Sequence, residues 1–281
     1  LNQPYPAIYE PTSAYPREYT RPTVGFTADW RFARNDVLSV GLQYSEFIED
    51  AHLRDRFIFN LGRVASFGPN FVQGAAGAGF VQANHDWSDK GGRTYMPSIK
   101  WRHQGPTWEW DVRGAYSNAT SATYDVDRDM FQAANSFIRN LTIRFEDFGY
   151  YGPAKMTVLN PAGQPVNPYR MADYSLENTT GSVRLVKDEK RSIQAYVARD
   201  FQLGTPLRAK LGVDVTAQTR DHMRSVLNYN YVGADGVMRT ADDNAAQWLD
   251  NSYLEKGGSP WSSELRDGLK SELIWNTFVA N

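Results

Sequence analysis

A strict alternation of apolar and polar residues constrains the fold of this chain most. Between residues 22 and 33 every second residue is apolar, namely Val24, Phe26, Ala28, Trp30 and Phe32. Side chains of a β-strand point alternately to opposite faces, so this pattern predicts a strand with one apolar and one polar face. Ordinary strands average about 5 to 6 residues, whereas a tilted membrane-spanning strand needs about 9 to 11. The length therefore favours a strand that spans a membrane.

The same alternation recurs along the chain. It is clear at 38–44, 108–116 and 207–217, and weaker at 57–61, 79–87, 93–103, 182–186 and 192–201. These segments predict about eight to ten strands. Short turns are expected at 34–36, 88–92, 103–106 and 203–206, and long connections at 118–140 and after Thr219. The segment 66–77 is a longer link than the turn side of a barrel should have. Residues 187–190 fit either a turn or a charged interruption of one long strand.

The polar positions of these strands carry charges of both signs. A charged Arg or Lys facing lipid near the midplane costs about 2 to 4 kcal/mol, so the confinement of charges to one face is informative. Aromatic residues cluster near the predicted strand ends, where the interfacial girdles of a membrane barrel lie. The charges expected on the lumen face are those of Asp29, Arg31, Glu109, Asp111, Arg113, Arg208, Lys210 and Asp214.

The pattern as a whole predicts an all-β fold, an antiparallel transmembrane β-barrel segment that forms an incomplete barrel with long extracellular loops. Residues 1–21 are expected to be a proline-rich connector. Residues 22–231 are expected to form the partial transmembrane barrel, with a long loop at 118–178. Residues 232–281 are expected to form an extracellular loop region and the start of a further strand.

Composition excludes several other classes. The chain of 281 residues has no cysteine, which rules out a disulfide scaffold and is mildly consistent with an envelope location. Its 30 basic and 32 acidic side chains leave no basic excess for nucleic acid, and 14% aromatic residues do not fit a disordered chain. The longest uncharged stretch, 64–85, contains too many glycines and polar residues for a membrane helix.

Catalytic motifs are missing from the sequence. The four histidines are scattered, and no HExxH, phosphate-binding loop, dinucleotide fingerprint or nucleophile elbow is present. Two carboxylate-containing neighbours, Glu146 with Asp147 and Asp221 with His222, should point to opposite faces of a strand. We therefore predict that the chain is not an enzyme and binds no cofactor, and the sequence assigns no substrate-binding residue.

Two acidic clusters invite comparison with calcium sites. Asp125, Asp127 and Asp129 have the spacing of an EF-hand loop, but Met130 and Ser136 stand where its glycine and bidentate glutamate belong. The segment 233–244 could gather oxygen ligands around a hard cation, although a solvated turn explains it as well. Its candidate ligands are Asp235, Asp242, Asp243 and Asn244.

The hairpins at 21–44, 95–108 and 206–214, and the strand exit at 219–221, resemble the barrel region of TonB-dependent outer-membrane receptors. The similarity covers roughly residues 20–231 and lies in hairpin style more than in invariant residues. The resemblance implies a 22-stranded barrel with an N-terminal plug. It also implies import of a scarce nutrient, such as an iron–siderophore complex, cobalamin or an oligosaccharide, with energy from an inner-membrane TonB complex.

The chain departs from that family pattern in lacking a recognisable TonB box, a plug and a final strand ending in an aromatic residue. The expected partners are outer-membrane lipid in a Gram-negative envelope, a nutrient ligand, and the TonB complex through regions absent from this chain; no nucleic acid is expected. Ligand contacts are expected in the loops 118–178 and 219–281, with the aromatic residues Tyr150, Tyr151, Tyr229, Tyr231 and Trp248.

Two alternatives remain at this point. A small closed outer-membrane barrel of eight or ten strands would act as a passive pore or adhesin. A soluble all-β carbohydrate-binding module would use Trp101, Trp108 and Trp110 as stacking platforms.

Overall fold

The computed structural model describes residues 5–11, 18–150, 152–250 and 267–280, with the backbone alone of residues 50–54. The all-β prediction is confirmed: the described residues form twelve strands, all paired antiparallel, in an open sheet that does not close into a barrel. The strands are β1 Ile8–Tyr9, β2 Glu18–Thr20, β3 Thr23–Ala33, β4 Asp36–Asn60, β5 Val64–Gly68, β6 Phe71–Gly74, β7 Gly79–Gln104, β8 Trp108–Tyr124, β9 Ala133–Gly149, β10 Gly152–Leu159, β11 Ser175–Leu203 and β12 Thr205–Asn230.

The strands lie in six neighbouring lines. β3, β4, β7, β8, β11 and β12 follow one another across the sheet. β1 and β2 pair with β4 further along the first line, and β9 continues the line of β8 between β7 and β11. Three tight turns close one end of the sheet, at 34–35, 105–107 and 204, as predicted. We call this the turn end and the opposite end the loop end.

The strands are far longer than the sequence suggested. β4 has 25 residues, β7 26, β11 29 and β12 26. The predicted turn at 88–92 is wrong, because these residues lie within β7. Gly92 is needed there for packing rather than for turning, since a Cβ atom would collide with the ring of Phe47 on β4. Residues 187–190 also continue one strand, β11, paired on both sides.

The connections differ from the predicted loops as well. Residues 118–178 are mostly strand, because they contain the end of β8 together with β9 and β10. The link 66–77 contains most of the β5–β6 hairpin and lies at the loop end, because β4 runs the full height of the sheet. The predicted proline-rich connector 1–21 contributes β1 and β2 to the edge of β4.

The expected further strand near the end of the chain is replaced by a helix, α1 (Ser271–Ala280). The buried Ser271 hydroxyl accepts a hydrogen bond from the Phe131 backbone N–H (2.7 Å) and donates one to the Phe131 carbonyl (2.8 Å). Trp275 and Phe278 pack on the ring of Phe131. These contacts fix the helix against the sheet. No helix among the described residues is both long and apolar enough to cross a membrane.

Toward the turn end, one face of the sheet is apolar and uncovered. We call it the apolar face, and the opposite side the polar face. Backbone pairing aligns its residues in rows, one of which runs through Ala28, Val40, Ile99, Gly114, Ile193 and Val215. Leu211 is 76% exposed and Trp30 is 65% exposed. We call this uncovered surface the apolar band. No described residue forms a layer above these side chains.

Toward the loop end, the same face of the sheet is covered. Val81 and Ile99 lie on one face of the uninterrupted strand β7, yet Val81 is fully buried. The covering segments are 160–174, 231–250 and 267–280, which we call the cap. Tyr169 of the cap packs on Phe57 and Phe59 of β4, with ring centroids 5.2 and 5.9 Å apart. The core of this half also contains Leu141, Ile143, Phe145, Met171, Tyr174, Leu176, Trp248 and Ile274.

Candidate functional site

The polar face carries a charged network toward the turn end. At its centre is Asp111 on β8, whose side chain is buried. Its carboxylate accepts hydrogen bonds from Arg113 Nε (2.5 Å) and Arg102 Nε (3.4 Å), and Lys100 Nζ lies 3.6 Å away. One carboxylate thus faces three cations from two neighbouring strands. A buried carboxylate needs such compensation, and the surplus of positive charge remains at the surface.

A second group of residues extends this network to the edge strand. Glu109 accepts a hydrogen bond from Tyr196 Oη (2.6 Å) on β11 and one from Arg208 Nη2 (2.5 Å) on β12. Lys210 Nζ lies 3.6 Å from the centroid of the Tyr196 ring, which is a cation–π contact. The network therefore links β7, β8, β11 and β12 across the polar face.

Most of the predicted lumen charges come together in this network, namely Glu109, Asp111, Arg113, Arg208 and Lys210. Asp214 lies on the same face and accepts a hydrogen bond from Gln194 Nε2 (2.9 Å). Asp29 and Arg31 are on β3, which the sheet places at the opposite edge. The sequence analysis missed Lys100, Arg102 and Tyr196. The alternation at 93–103 and 192–201 could have placed these residues on the polar face. The sequence does not show, however, that the strands carrying them are neighbours.

Toward the loop end, the polar face carries a row of amides across three strands, and Arg56 on a fourth strand extends it. Arg56 Nη2 donates to Asn84 Oδ1 (2.8 Å), Asn84 donates to Asn135 Oδ1, and Asn135 Nδ2 donates to Asn178 Oδ1 (2.7 Å). Gln82 Nε2 also donates to Asn135 Oδ1 (2.9 Å). Strand pairing places these residues opposite one another, since Asn84 pairs with Asn135 and Asn135 with Asn178. Amides combine donors and acceptors, so the row can hydrogen-bond a polar, uncharged ligand.

A buried carboxylate held by two arginines adjoins the amide row. Glu177 accepts two hydrogen bonds from Arg139 (2.6 and 2.7 Å) and two from Arg239 (2.9 and 3.1 Å). Burial by itself raises the pKa of Glu177, but the hydrogen bonds and charges of the two guanidinium groups outweigh it and lower that pKa. The guanidinium of Arg139 also lies over the ring of Phe137, 4.4 Å from its centroid. Phe137 and Phe80 form an aromatic pair beside the amides, with centroids 6.0 Å apart.

Three of the five loop aromatics that were expected to contact ligand pack within the fold. Tyr231 and Trp248 are buried in the cap with their rings at 90° and 5.2 Å apart, so they belong to the core. Tyr229 packs on Phe131 and Phe278. Tyr150 is 94% exposed, and Tyr151 lies outside the described residues. Of these five residues, Tyr150 is the described one that stays exposed to solvent.

The acidic clusters are used within the fold. Asp125 caps the turn after β8, where its carboxylate accepts from the backbone N–H groups of Val126 (2.6 Å) and Ser182. The pKa of Asp242 is lowered, mainly by the hydrogen bond from the Thr240 hydroxyl. The backbone N–H groups of Ala234 and Asp235 also donate to its carboxylate and lower the pKa further. Asp243 closes a capping box with Thr240. Among the described residues, no group of three or more acidic, His or Cys side chains is arranged to hold a metal ion.

The remaining candidates for chemistry lie on strands of the sheet. Glu146 pairs with Arg144 (3.0 Å) and Lys155 (3.1 Å), both of which lower its pKa, the Lys155 hydrogen bond most. Trp101, Trp108 and Trp110 lie on the apolar face at the turn end, and Trp110 stacks on His103 with centroids 3.8 Å apart. They form an aromatic border of the apolar band.

Comparison with known proteins adds no relative: neither a scan against protein-family models nor a search of the curated proteins found a match.

Proposed function

We propose that this sheet is a section of the wall of an outer-membrane transport barrel of the TonB-dependent kind, which imports a scarce nutrient. The observation that carries the proposal is the uncovered apolar band, which crosses all six strand lines. Soluble monomers rarely expose contiguous apolar patches larger than about 300 to 600 Å². Ile193 is 61% exposed and Val215 is 59% exposed, on the fifth and sixth strand lines of the band. Lipid is the environment in which such a surface is stable.

The height of the band supports this proposal. All 11 residues of β3 are exposed. At about 3.3 Å per residue the strand is about 35 Å long. A tilt of about 40° reduces that length to a height of about 27 Å, close to the apolar band of about 25 Å in outer-membrane barrels. The aromatic residues at the turn end would then lie at the periplasmic interface.

The shape of the band agrees with tilted strands. On β12 the band starts at Leu207, which pairs with Phe201 on β11. This row of the apolar face lies two rows nearer the turn end than the row of Asp36, the first residue of β4. On β4 the band extends to Tyr44. The residues of the same row on β11 and β12 are Glu189 and Thr219, which are polar, so the band has already ended on those strands. The band is thus displaced along the strands from one edge to the other. Strands inclined to a flat lipid layer require such a displacement.

The polar face would form the inner wall of the barrel. Its charged network lies behind the apolar band, and its amide row lies behind the cap, where a ligand entering from outside would arrive. The amides and the neighbouring Phe80 and Phe137 rings suit polar ligands with an apolar side. A siderophore complex, cobalamin and an oligosaccharide all meet that description.

Insertion into lipid is testable with single cysteines, because the chain has none of its own. Val215→Cys places an environment-sensitive fluorophore on the apolar face, and Thr216→Cys places the same label on the polar face one residue away. The full chain would be refolded into phospholipid vesicles with and without brominated acyl chains. We expect bromine quenching and a blue-shifted emission at position 215 and little of either at position 216. Equal emission from both positions, in water-like surroundings, would contradict membrane insertion.

Ligand binding requires a separate experiment. Representatives of the three ligand classes would be titrated into the refolded chain by calorimetry. We expect one class to bind and the double variant Asn84→Leu/Asn135→Leu to lose that binding, because the central donors and acceptors of the row are removed. Gln194→Leu, on the same face near the turn end, is the matched control and should bind normally. Loss of binding in the control alone would place the ligand on the charged network instead.

A further inference from the structure

Two adjoining grooves lie on the apolar face, one apolar and one charged. The apolar groove has a volume of about 600 Å³ and is lined by Val40, Pro97, Ile99, Gly114, Ile193 and Val215. Gly114 lies between Ile99 and Ile193 in one row, and the absence of its side chain opens a trough between the two flanking isoleucines. The trough belongs to the apolar band, and its size falls within the range of about 300 to 1,000 Å³ found for ligand pockets.

The charged groove begins directly beyond the apolar band, on the side of the loop end. It has a volume of about 770 Å³, and Arg128 is among the residues that line it. One row of its lining runs through Glu46, Arg93, Thr120, Lys187 and Asp221. The two cations of this row flank Thr120 on the neighbouring strands, and the two carboxylates stand at the outer positions. Neighbouring strands are about 4.8 Å apart, so the backbones of Arg93 and Lys187 are separated by about 10 Å.

The cations of this groove differ in their pairing. Lys187 Nζ contacts Glu189 Oε1 (2.7 Å), and Arg128 contacts Asp89 Oδ2 (2.6 Å) while lying over the Tyr124 ring. Among the described side chains Arg93 has no ion-pair partner. Arg191 stands at the border of the two grooves, where its guanidinium is 75% exposed and 3.9 Å from Glu189. Arg93 is therefore the cation at the centre of this groove that an anion can pair with, whereas Lys187 and Arg128 already contact carboxylates.

From these two grooves we infer a binding site for a membrane lipid with a phosphorylated headgroup. The phosphate would lie between Arg93 and Lys187, within reach of the Thr120 hydroxyl, and an acyl chain would follow the trough at Gly114. This inference rests on the proposed membrane function, since it requires the apolar face to touch lipid. The arrangement fits a lipid because a cationic site adjoins an apolar trough at the height where headgroups end and acyl chains begin. A free phosphate would use the charged groove alone.

The test uses the full chain purified in detergent and native mass spectrometry of bound lipid. Phosphatidylglycerol, phosphatidylcholine and inorganic phosphate would be titrated separately. We expect the wild-type chain to retain phosphatidylglycerol in preference to phosphatidylcholine. The double variant Arg93→Gln/Lys187→Gln should bind it about 25- to 30-fold more weakly, at about fivefold for each basic residue. The conservative variant Arg93→Lys/Lys187→Arg should keep most of the binding, which separates loss of charge from misfolding.

The matched control is Arg184→Gln/Arg224→Gln. These arginines occupy opposite backbone positions on β11 and β12. They lie at nearly the same height in the sheet as Arg93 and Lys187, but on the polar face. Their removal changes the net charge equally and should leave lipid binding unchanged. If the control weakens binding as much as the test variant does, the attraction is non-specific and the inference is wrong.

The trough is tested by Gly114→Leu. A Cβ atom there meets only Ile99 Cγ2, at 3.4 Å, so a larger side chain can be accommodated while it fills the groove. We expect weaker phosphatidylglycerol binding and unchanged binding of inorganic phosphate. Unchanged lipid binding would reduce the site to a phosphate site and overturn the lipid assignment. If the label at position 215 reports insertion while lipid binding shows no headgroup preference, only this inference fails; absence of insertion removes the proposed function itself.

Discussion

The two halves of the sheet use the same face in opposite ways. Toward the turn end, the apolar face is the uncovered surface of a single-layered sheet. Toward the loop end, the same face carries the cap and becomes a buried core with Phe57, Val81 and Phe145 at its centre. A strand such as β7 passes through both environments without interruption. Burial is therefore decided by what packs on a strand and not by the alternation of its residues.

The largest expected difference between the halves is the cost of removing a phenylalanine side chain. Phe145 is fully buried on β9, whereas Phe26 on β3 is 61% exposed. Phe145→Ala should lower the free energy of unfolding by about 3 to 5 kcal/mol, through lost burial and a cavity. Phe26→Ala should lower it by about 1 kcal/mol or less, because the side chain leaves lipid rather than a packed core. Urea unfolding in vesicles measures both, and similar values would erase the distinction.

A charge on the apolar face distinguishes lipid from water as its neighbour. Val215→Arg should destabilise the chain in vesicles by about 2 to 4 kcal/mol, since Val215 lies in a central row of the band. The control Thr216→Arg, on the polar face, should change stability by less than about 0.5 kcal/mol. Equal effects of the two substitutions would mean that both faces meet water, which would undo the comparison.

The buried carboxylate of the loop end makes stability depend on pH. Because the pKa of Glu177 is lowered from its ordinary value of 4.5, its contribution is fully present above pH 4.5 and is lost as pH falls through the lowered value. Glu177→Gln should lower the free energy of unfolding by about 2 to 3 kcal/mol at pH 7. The gap to the wild-type chain should shrink below pH 4.5. A gap that is constant with pH would show that the ionised form of Glu177 is not what stabilises the native chain.

The smallest expected effect concerns the attachment of helix α1. Ser271→Ala removes both hydrogen bonds to the Phe131 backbone and should cost about 1 to 2 kcal/mol. Ser98→Ala, on the exposed polar face toward the turn end, is the matched control and should be nearly neutral. Amide hydrogen exchange should show faster exchange in 267–280 for the first variant only. If exchange in the apolar band became faster to the same extent as exchange in 267–280, the two halves would unfold as one unit.

Sequence patterns were most informative toward the turn end, where each strand meets a uniform environment on each face. There the alternation gave β3, the turns at 34–36 and 203–206, and five of the eight charges that form one network. Toward the loop end the alternation became irregular. The register shift between Glu49 and His52 on β4 moves the apolar side chains from even to odd positions. Read along the chain, that change suggested a strand end, although the strand continues to Asn60.

The candidate site on the polar face was only partly predictable. Asn84, Asn135 and Asn178 lie far apart in the sequence, and no motif links them. The sheet pairing alone aligns them, because β9 enters between β7 and β11 after the excursion at 125–132. Likewise Tyr231 and Trp248 look like loop aromatics in the sequence, and only the packing of the cap shows that they are buried.

The alternation of residues is enough to predict extended strands with one apolar and one polar face, because a period of two is a local property of the extended backbone. The tertiary structure decided which apolar positions are covered and which strands are neighbours, since both depend on contacts between residues remote in the chain. The same physical separation explains why the band could be inferred from the sequence, whereas the amide row and the two adjoining grooves required the folded sheet.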